Sequence, residues 1–172
     1  MSADKKYLLA IDNGTQSVRA LVFDLDGQLV AKSQVEIEPF FSDQPGWAEQ
    51  HPHYLWDRLC DACQQLWPQL EFPRTDIEAV ALTTQRATVV PMGRDGKPLR
   101  AAISWLDQRQ VDSKPELGVF ESLLMRAVGA KAAVDTFHTQ AEANWIAQHE
   151  PQLWNQVDKL LLLSGYHNFK LT

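Results

Sequence analysis

The sequence predicts an α/β fold, a mixed sheet of five strands flanked by helices, in one domain over residues 1–172, and three observations carry that expectation. The chain opens with short apolar runs separated by a tight-turn signal. Helical periodicity then alternates with apolar runs short enough to be strands. The composition, 45% hydrophobic and 22% charged over 172 residues, is ordinary globular usage with enough apolar residues for one core.

Tyr7 to Ile11 is the first apolar run, and Ser17 to Asp24 (S-V-R-A-L-V-F-D) is a second, rich in strand formers. Asp26-Gly27 follows as a two-residue hairpin signal. The next stretch, Q-L-V-A-K-S-Q-V-E-I-E, alternates apolar and polar residues as a half-exposed strand does. Three antiparallel strands are therefore expected to open the protein. The segment S-D-Q-P-G-W-A-E-Q reads as a loop, with proline and glycine as breakers.

His51-Pro52 begins a helix, since proline suits the first turn, and Tyr54, Leu55, Leu59, Cys63 and Leu66 recur at helical spacing as far as Pro68. Ile77 to Thr83 is a fourth strand and Thr88 to Met92 a fifth, separated by the polar insert T-Q-R-A. A turn at Arg94-Asp95-Gly96-Lys97 leads into A-A-I-S-W. Residues 116–128 and 139–149 have helical patterns, Asp158 to Leu163 is a buried strand or a helix start, and G-Y-H-N-F-K-L-T is a final helix. There is no internal repeat and no low-complexity segment.

A formal net charge of -6 and a pI near 5.3 argue against nucleic acid or an anionic membrane as the main partner, because both reward a basic surface. No apolar run is long enough to span a bilayer, and M-S-A-D-K-K-Y lacks the apolar core of a signal peptide, so a cytoplasmic location is expected. Cys60 and Cys63 form C-x-x-C within a helical stretch without a second cysteine pair to complete a zinc site. His51 and His53 are the nearest alternative ligands, and buried helix cysteines are the preferred reading.

Residues 11–19, I-D-N-G-T-Q-S-V-R, place unusual chemistry at the end of a strand. Gly14 lets a ligand approach the backbone, and a turn after a strand can aim N–H groups at a phosphate. Thr15 and Ser17 add hydroxyls. Asp12, at the strand's carboxyl end, is placed to hold Mg²⁺ directly or through water, and Arg19 offers a fork-shaped cation to a phosphoryl group. The rival reading is a plain β-hairpin, since Asn13-Gly14 is itself a good turn. No Walker loop occurs in the chain.

Five blocks in order, A-I-D-N-G-T-Q-S-V-R-A-L-V-F-D, P-G-W-A-E-Q-H-P-H-Y-L-W, A-L-T-T-Q-R-A-T-V-V, A-A-I-S-W-L-D-Q-R and L-L-L-S-G-Y-H-N-F-K-L-T, resemble the N-terminal half of the FGGY carbohydrate kinases. That resemblance implies a ribonuclease-H-like domain of the actin and hexokinase superfamily, the first of two lobes closing around a sugar and MgATP. It implies in-line transfer of the γ-phosphoryl group to a hydroxyl. By position, Asp12 matches the metal-associated aspartate, Gly14, Thr15, Gln16 and Ser17 the phosphate loop, and Arg19 the phosphate-side arginine.

On the substrate side the resemblance assigns Gln85, Arg86, Trp105, Asp107 and Phe137. Arg86 matches an arginine that hydrogen-bonds substrate hydroxyls, while Ala87 stands where glycerol kinases carry glutamate and so argues against glycerol. Trp105 offers a flat face to the C–H side of a polyol, and Asp107 can accept hydroxyl hydrogen bonds. Core packing is the alternative for Trp105, and pairing with Arg109 is the alternative setting for Asp107. Phe137 falls where glycerol kinases tend to carry tyrosine, and Glu142 where many members carry lysine.

The family's catalytic aspartate and its nucleotide-gripping second lobe are expected beyond residue 172, which makes this chain the reading of a lobe that is inactive alone. The implied cofactors are ATP and Mg²⁺, and the implied partner is a small sugar or polyol. Apolar surface left uncovered on a free lobe is expected to favour self-association. A non-catalytic sugar- or partner-binding domain and an actin-like or activator-type ATPase are the rival classes.

Overall fold

The computed structural model describes residues 6–112 and 118–172. Met1–Lys5 of the segment M-S-A-D-K-K-Y and residues 116 and 117 of the expected helix 116–128 lie outside the described residues. The strands are Tyr7–Asn13 (β1), Ser17–Asp24 (β2), Leu29–Glu36 (β3), Glu49–Gln50 (β4), Ile77–Thr84 (β5), Val89–Gly93 (β6), Ala102–Ile103 (β7) and Val157–Leu162 (β8). The helices are Pro52–Leu66 (α1), Val119–Ala127 (α2), Lys131–Gln140 (α3), Glu142–His149 (α4), Pro151–Trp154 (α5) and Leu163–Leu171 (α6).

β1, β2 and β3 form the expected antiparallel meander. Its second turn is closed by Asp24, whose carboxylate accepts the Asp26 and Gln28 amides at 3.0 and 2.8 Å, and by Gly27, which takes a left-handed φ of +81°. β5 then joins β1 in parallel, which requires a crossover, and α1 fills it. The first sheet therefore runs β3-β2-β1-β5 and is mixed, as the sequence predicts.

The expected single sheet of five strands is replaced by two sheets of four. β6 leaves the first sheet and pairs with β8, in a second sheet ordered β4-β7-β6-β8. The break falls at Ala87, whose φ of 50° turns the chain between β5 and β6. β8 is also not the buried strand expected from D-K-L-L-L-L. It pairs on one side only, and all six of its residues stay partly or fully exposed, Leu162 at 55%. α3 has no counterpart in the sequence reading, whereas α6 forms where the final helix is expected.

The main core lies between the first sheet and α1. Val18, Ala20, Val22 and Ala31 from the strands meet Leu55, Leu59, Ala62 and Leu66, and each leucine fully buried contributes about 1.5–3 kcal/mol. The Ser33 hydroxyl donates to the Ala62 carbonyl at 2.6 Å and fixes the helix on β3. Ala62 takes the sheet-facing position that the spacing assigns to Cys63. Burial pushes the Cys63 thiol up to about 11, so it is an inert packing group. A second, smaller core gathers Ile103, Val111, Trp145 and Ile146. No helix among the described residues is long and apolar enough to cross a membrane.

Candidate functional site

The turn between β1 and β2 holds the phosphate-side candidates at the edge of an open concavity of about 530 Å³, lined by Gly14, Thr15, Gln16, Ser17 and Arg19. The Gly14 amide donates back to the Ser17 carbonyl at 3.0 Å, closing the turn. That N–H is therefore engaged within the protein, contrary to the expectation that the turn presents it outward. Asp12 and Arg19 are cross-strand partners in the β1–β2 register and form an ion pair at 3.0 Å. One Asp12 oxygen is thus engaged, and the carboxylate remains about one-third exposed. This fits magnesium held by a single carboxylate with water and phosphate oxygens completing its shell, and does not fit an all-protein cage. Glu36 lines the same concavity and carries no sequence signal of a site residue.

A second cleft of about 750 Å³ brings together Ala87, Trp105, Asp107, Phe137 and Glu142. Trp105 and Phe137 are 51% and 77% exposed, so neither is a core residue, and core packing is ruled out for Trp105. The indole N–H of Trp105 donates to the Thr15 hydroxyl at 3.1 Å. The two groups belong to loops of different sheets, and this bond joins the aromatic-lined cleft to the polar turn.

Asp107 has a different setting from the one expected of a hydroxyl acceptor. Its Oδ1 accepts the Arg109 backbone N–H and Nε–H at 2.9 and 2.8 Å, and its Oδ2 accepts the Ala48 amide and Arg109 Nη2–H, both at 2.7 Å. All four acceptor positions are filled by protein donors. Asp107 is therefore a brace for the loop that carries Trp105, in the pairing with Arg109 that the sequence left open.

Arg109 is itself clamped between Trp47 and Trp145, with ring centroids 4.2 and 4.5 Å away. Its Nη1 also forms an ion pair with Glu49 at 2.7 Å. Burial pulls the guanidinium pKa down, and the hydrogen bonds and charges of Asp107 and Glu49 outweigh it, leaving a net rise. Arg100 extends the network by pairing with both Glu49 and Glu150.

Gln85 and Arg86 follow β5. The Gln85 amide donates to the Asn13 carbonyl at 2.9 Å, and its side chain donates to buried Gln50. Gln85 thus anchors its loop, while Arg86 projects into solvent with no ion pair or hydrogen bond among the described residues. Ala87 is the only described non-glycine residue with a positive φ, a strained conformation of the kind found at functional loops. Glu142, on the first turn of α4, faces the cleft with its pKa raised, chiefly by burial and further by Asp107.

Two buried residues escaped the sequence reading. Asn13 and His167 are both 0% exposed, and His167 Nε2 lies 2.7 Å from Asn13 Oδ1. They are 154 residues apart, and no local pattern links them.

A mixed sheet crossed by a helix, with a polar turn after its first strand joined by a hydrogen bond to a cleft lined by aromatic residues, defines an α/β domain of the kind found in sugar kinases. Residues 7–172 match the N-terminal domain of the FGGY family of carbohydrate kinases, and the chain belongs to that family.

It is 32% identical over 166 residues to a glycerol kinase from Limosilactobacillus reuteri, covering 95% of this chain and 33% of that protein. It is 35% identical over 153 residues to a glycerol kinase from Ralstonia pickettii, covering 84% and 29%. Its fold is similar to that of a gluconate kinase from Lactobacillus acidophilus, with a TM-score of 0.74 at 20% identity over 96% of this chain and 33% of that one. A xylulose kinase from Rhodospirillum rubrum gives a TM-score of 0.73 at 24% identity, covering 95% and 33%. The chain spans about a third of the length of the relatives it matches.

Proposed function

We propose that this chain is the substrate-side lobe of an ATP-dependent carbohydrate kinase, and the observation that carries the reading is the Trp105–Thr15 hydrogen bond between cleft and turn. A sugar lying on the exposed faces of Trp105 and Phe137 would have a hydroxyl held close to the turn where the transferred phosphoryl group must arrive. Catalysis of such a transfer consists mainly of positioning and charge stabilisation, which is what a rigid cleft and turn supply.

In this reading Arg86 donates hydrogen bonds to sugar hydroxyls, and its exposure leaves it free to do so. Asp107 and Arg109 keep Trp105 in place and do not touch the sugar. Thr15 and Ser17 donate to phosphoryl oxygens, and Arg19 meets the transferred group when it releases Asp12. Asp12 would hold Mg²⁺. MgATP supplies the phosphoryl group with part of its charge already neutralised.

The proton acceptor for the attacking hydroxyl belongs to the remainder that whole members of the family carry, so the isolated lobe binds without turning over. Ala87 supports a substrate other than glycerol, because it provides no carboxylate to accept two neighbouring hydroxyls.

The test is a titration of the ¹⁵N-labelled chain with neutral ketoses, polyols and aldonates, read at the Trp105 indole N–H, with Trp105→Phe to assign the signal. A carbohydrate of one of these classes is expected to shift the Trp105 signal and to produce no ADP when MgATP is added. Shifts with nucleotide alone and none with any carbohydrate would point to the ATPase reading, and sugar-dependent ADP release abolished by Asp12→Asn would refute the inactivity of the isolated lobe.

A further inference from the structure

The proposed function does not use the most deeply buried polar contact among the described residues. His167 sits in the middle of α6 with 0% exposure, tilted against the Trp56 ring, and its Nε2 is 2.7 Å from Oδ1 of equally buried Asn13. Asn13 is the last residue of β1, immediately before the Gly14 turn. Its Nδ2 donates to the Gly14 carbonyl at 3.1 Å, so the amide oxygen must face His167. That orientation makes His167 Nε2 the donor and leaves Nδ1 bare, without a hydrogen-bond partner among the described residues.

The Asn13 main-chain carbonyl accepts the Gln85 amide at 2.9 Å. One residue therefore ties three things together: the polar turn through Gly14, the loop carrying Arg86 through Gln85, and α6 through His167. His167 is bonded through one ring nitrogen only, among the described residues. This one makes its single short contact to the residue that sets the turn. Burial holds its pKa down at about 4, so the ring stays neutral and the donor is present across the physiological range.

We propose that His167 is a positioning residue for the phosphate-side turn, donating from Nε2 to Asn13 so that the Asn13 amide holds the Gly14 carbonyl and, with its backbone, the Gln85 loop. The functional part of this statement rests on the reading of that turn as a phosphate site. Without the donor, Asn13 Oδ1 is buried and unsatisfied, and the amide loses the constraint that keeps its nitrogen on Gly14. Displacing a phosphate-binding turn by about 1 Å is enough to cost about 100-fold in a reaction that depends on positioning.

The test uses the full 172-residue chain and the variants His167→Leu, His167→Gln, Asn13→Ala and His167→Leu/Asn13→Ala. Amide hydrogen exchange is measured at Gly14 and Gln85, whose N–H groups are bonded at the two ends of the device, and at Leu59 in α1 as the reference. His167→Leu is expected to speed exchange at Gly14 and Gln85 by about tenfold more than at Leu59, the equivalent of one lost buried hydrogen bond. His167→Gln, which keeps an N–H donor, should restore most of the protection. In the Asn13→Ala background, removing the histidine should add nothing at these two amides.

Equal acceleration at all three amides would make His167 a packing residue only and overturn the proposal. So would a wild-type long-range ¹H–¹⁵N spectrum showing the proton on Nδ1, a measurement that stands even if a variant fails to fold. MgATP as a probe separates this from the underlying reading. Absence of any Gly14 shift in the wild type counts against that reading alone and leaves the exchange ratios to decide the positioning. A wild-type shift that keeps its midpoint in His167→Leu shows that the turn does not depend on His167.

Discussion

Acidification should destabilise this fold through one buried imidazole. In the unfolded chain His167 titrates near its ordinary 6.5, while in the folded protein burial depresses it to about 4. Below pH 6.5 the unfolded state takes up a proton that the folded state refuses, so stability falls as the pH drops. The loss levels off once the pH passes about 4, and the full contribution is present above 6.5. At about 1.4 kcal/mol for each tenfold change in proton affinity, that interval corresponds to about 3 kcal/mol. For a domain with a typical total of roughly 5–15 kcal/mol, this is a large share.

The assay is urea unfolding, followed by tryptophan fluorescence at steps from neutral pH down to pH 4, for the wild type and His167→Gln. Glutamine does not titrate and keeps a donor for Asn13. Carboxylates are common to both proteins and cancel in the difference. The wild type should lose about 3 kcal/mol more than the variant across the window. Parallel curves would refute the reasoning, since they would mean that His167 is protonated as readily folded as unfolded.

Arg109→Ala should cost about 3–5 kcal/mol in urea unfolding, because it strands the Asp107 carboxylate in a closed site and leaves Glu49 to Arg100 alone, whereas Arg109→Met, which keeps the contact with Trp47 and Trp145, should cost less. Leu59→Ala, at a 3% exposed position of α1 in the main core, should lose about 2–5 kcal/mol by the same measurement. Ala87→Gly should raise thermal stability by up to about 1 kcal/mol, since relief of the left-handed conformation outweighs the added freedom of the unfolded chain. The exposed apolar residues Val80, Leu162 and Phe169 should make the isolated chain associate with rising concentration, and a monomer at every concentration in analytical ultracentrifugation would contradict that.

Local signals were enough for the opening meander. Asp26-Gly27 and the alternation from Gln28 to Glu38 encode a hairpin that needs no distant partner, and the spacing of Leu55, Leu59 and Leu66 encodes the face of α1. The polar turn at Gly14 and the residues Trp105 and Asp107 were likewise readable from ordered motifs, Phe137 only from its position between them, and the structure places the last three around one cleft. What those residues do was less legible. The same letters W-L-D-Q-R serve a tryptophan open to ligand and an aspartate fully occupied by Arg109 and Ala48, and only the hydrogen-bond count separates them.

The sequence alone determined where the strands of the first sheet lie, which turn is the candidate for phosphate-side chemistry and which family the motifs belong to. Each of these is written in neighbouring residues through side-chain period, turn geometry and motif order. The tertiary structure decided that β6 deserts the first sheet for β8, that Asp107 braces a loop, and that His167 reaches Asn13. Strand pairing and buried hydrogen bonds are settled between residues far apart in the chain, by which groups can be desolvated together, and no local pattern records that choice.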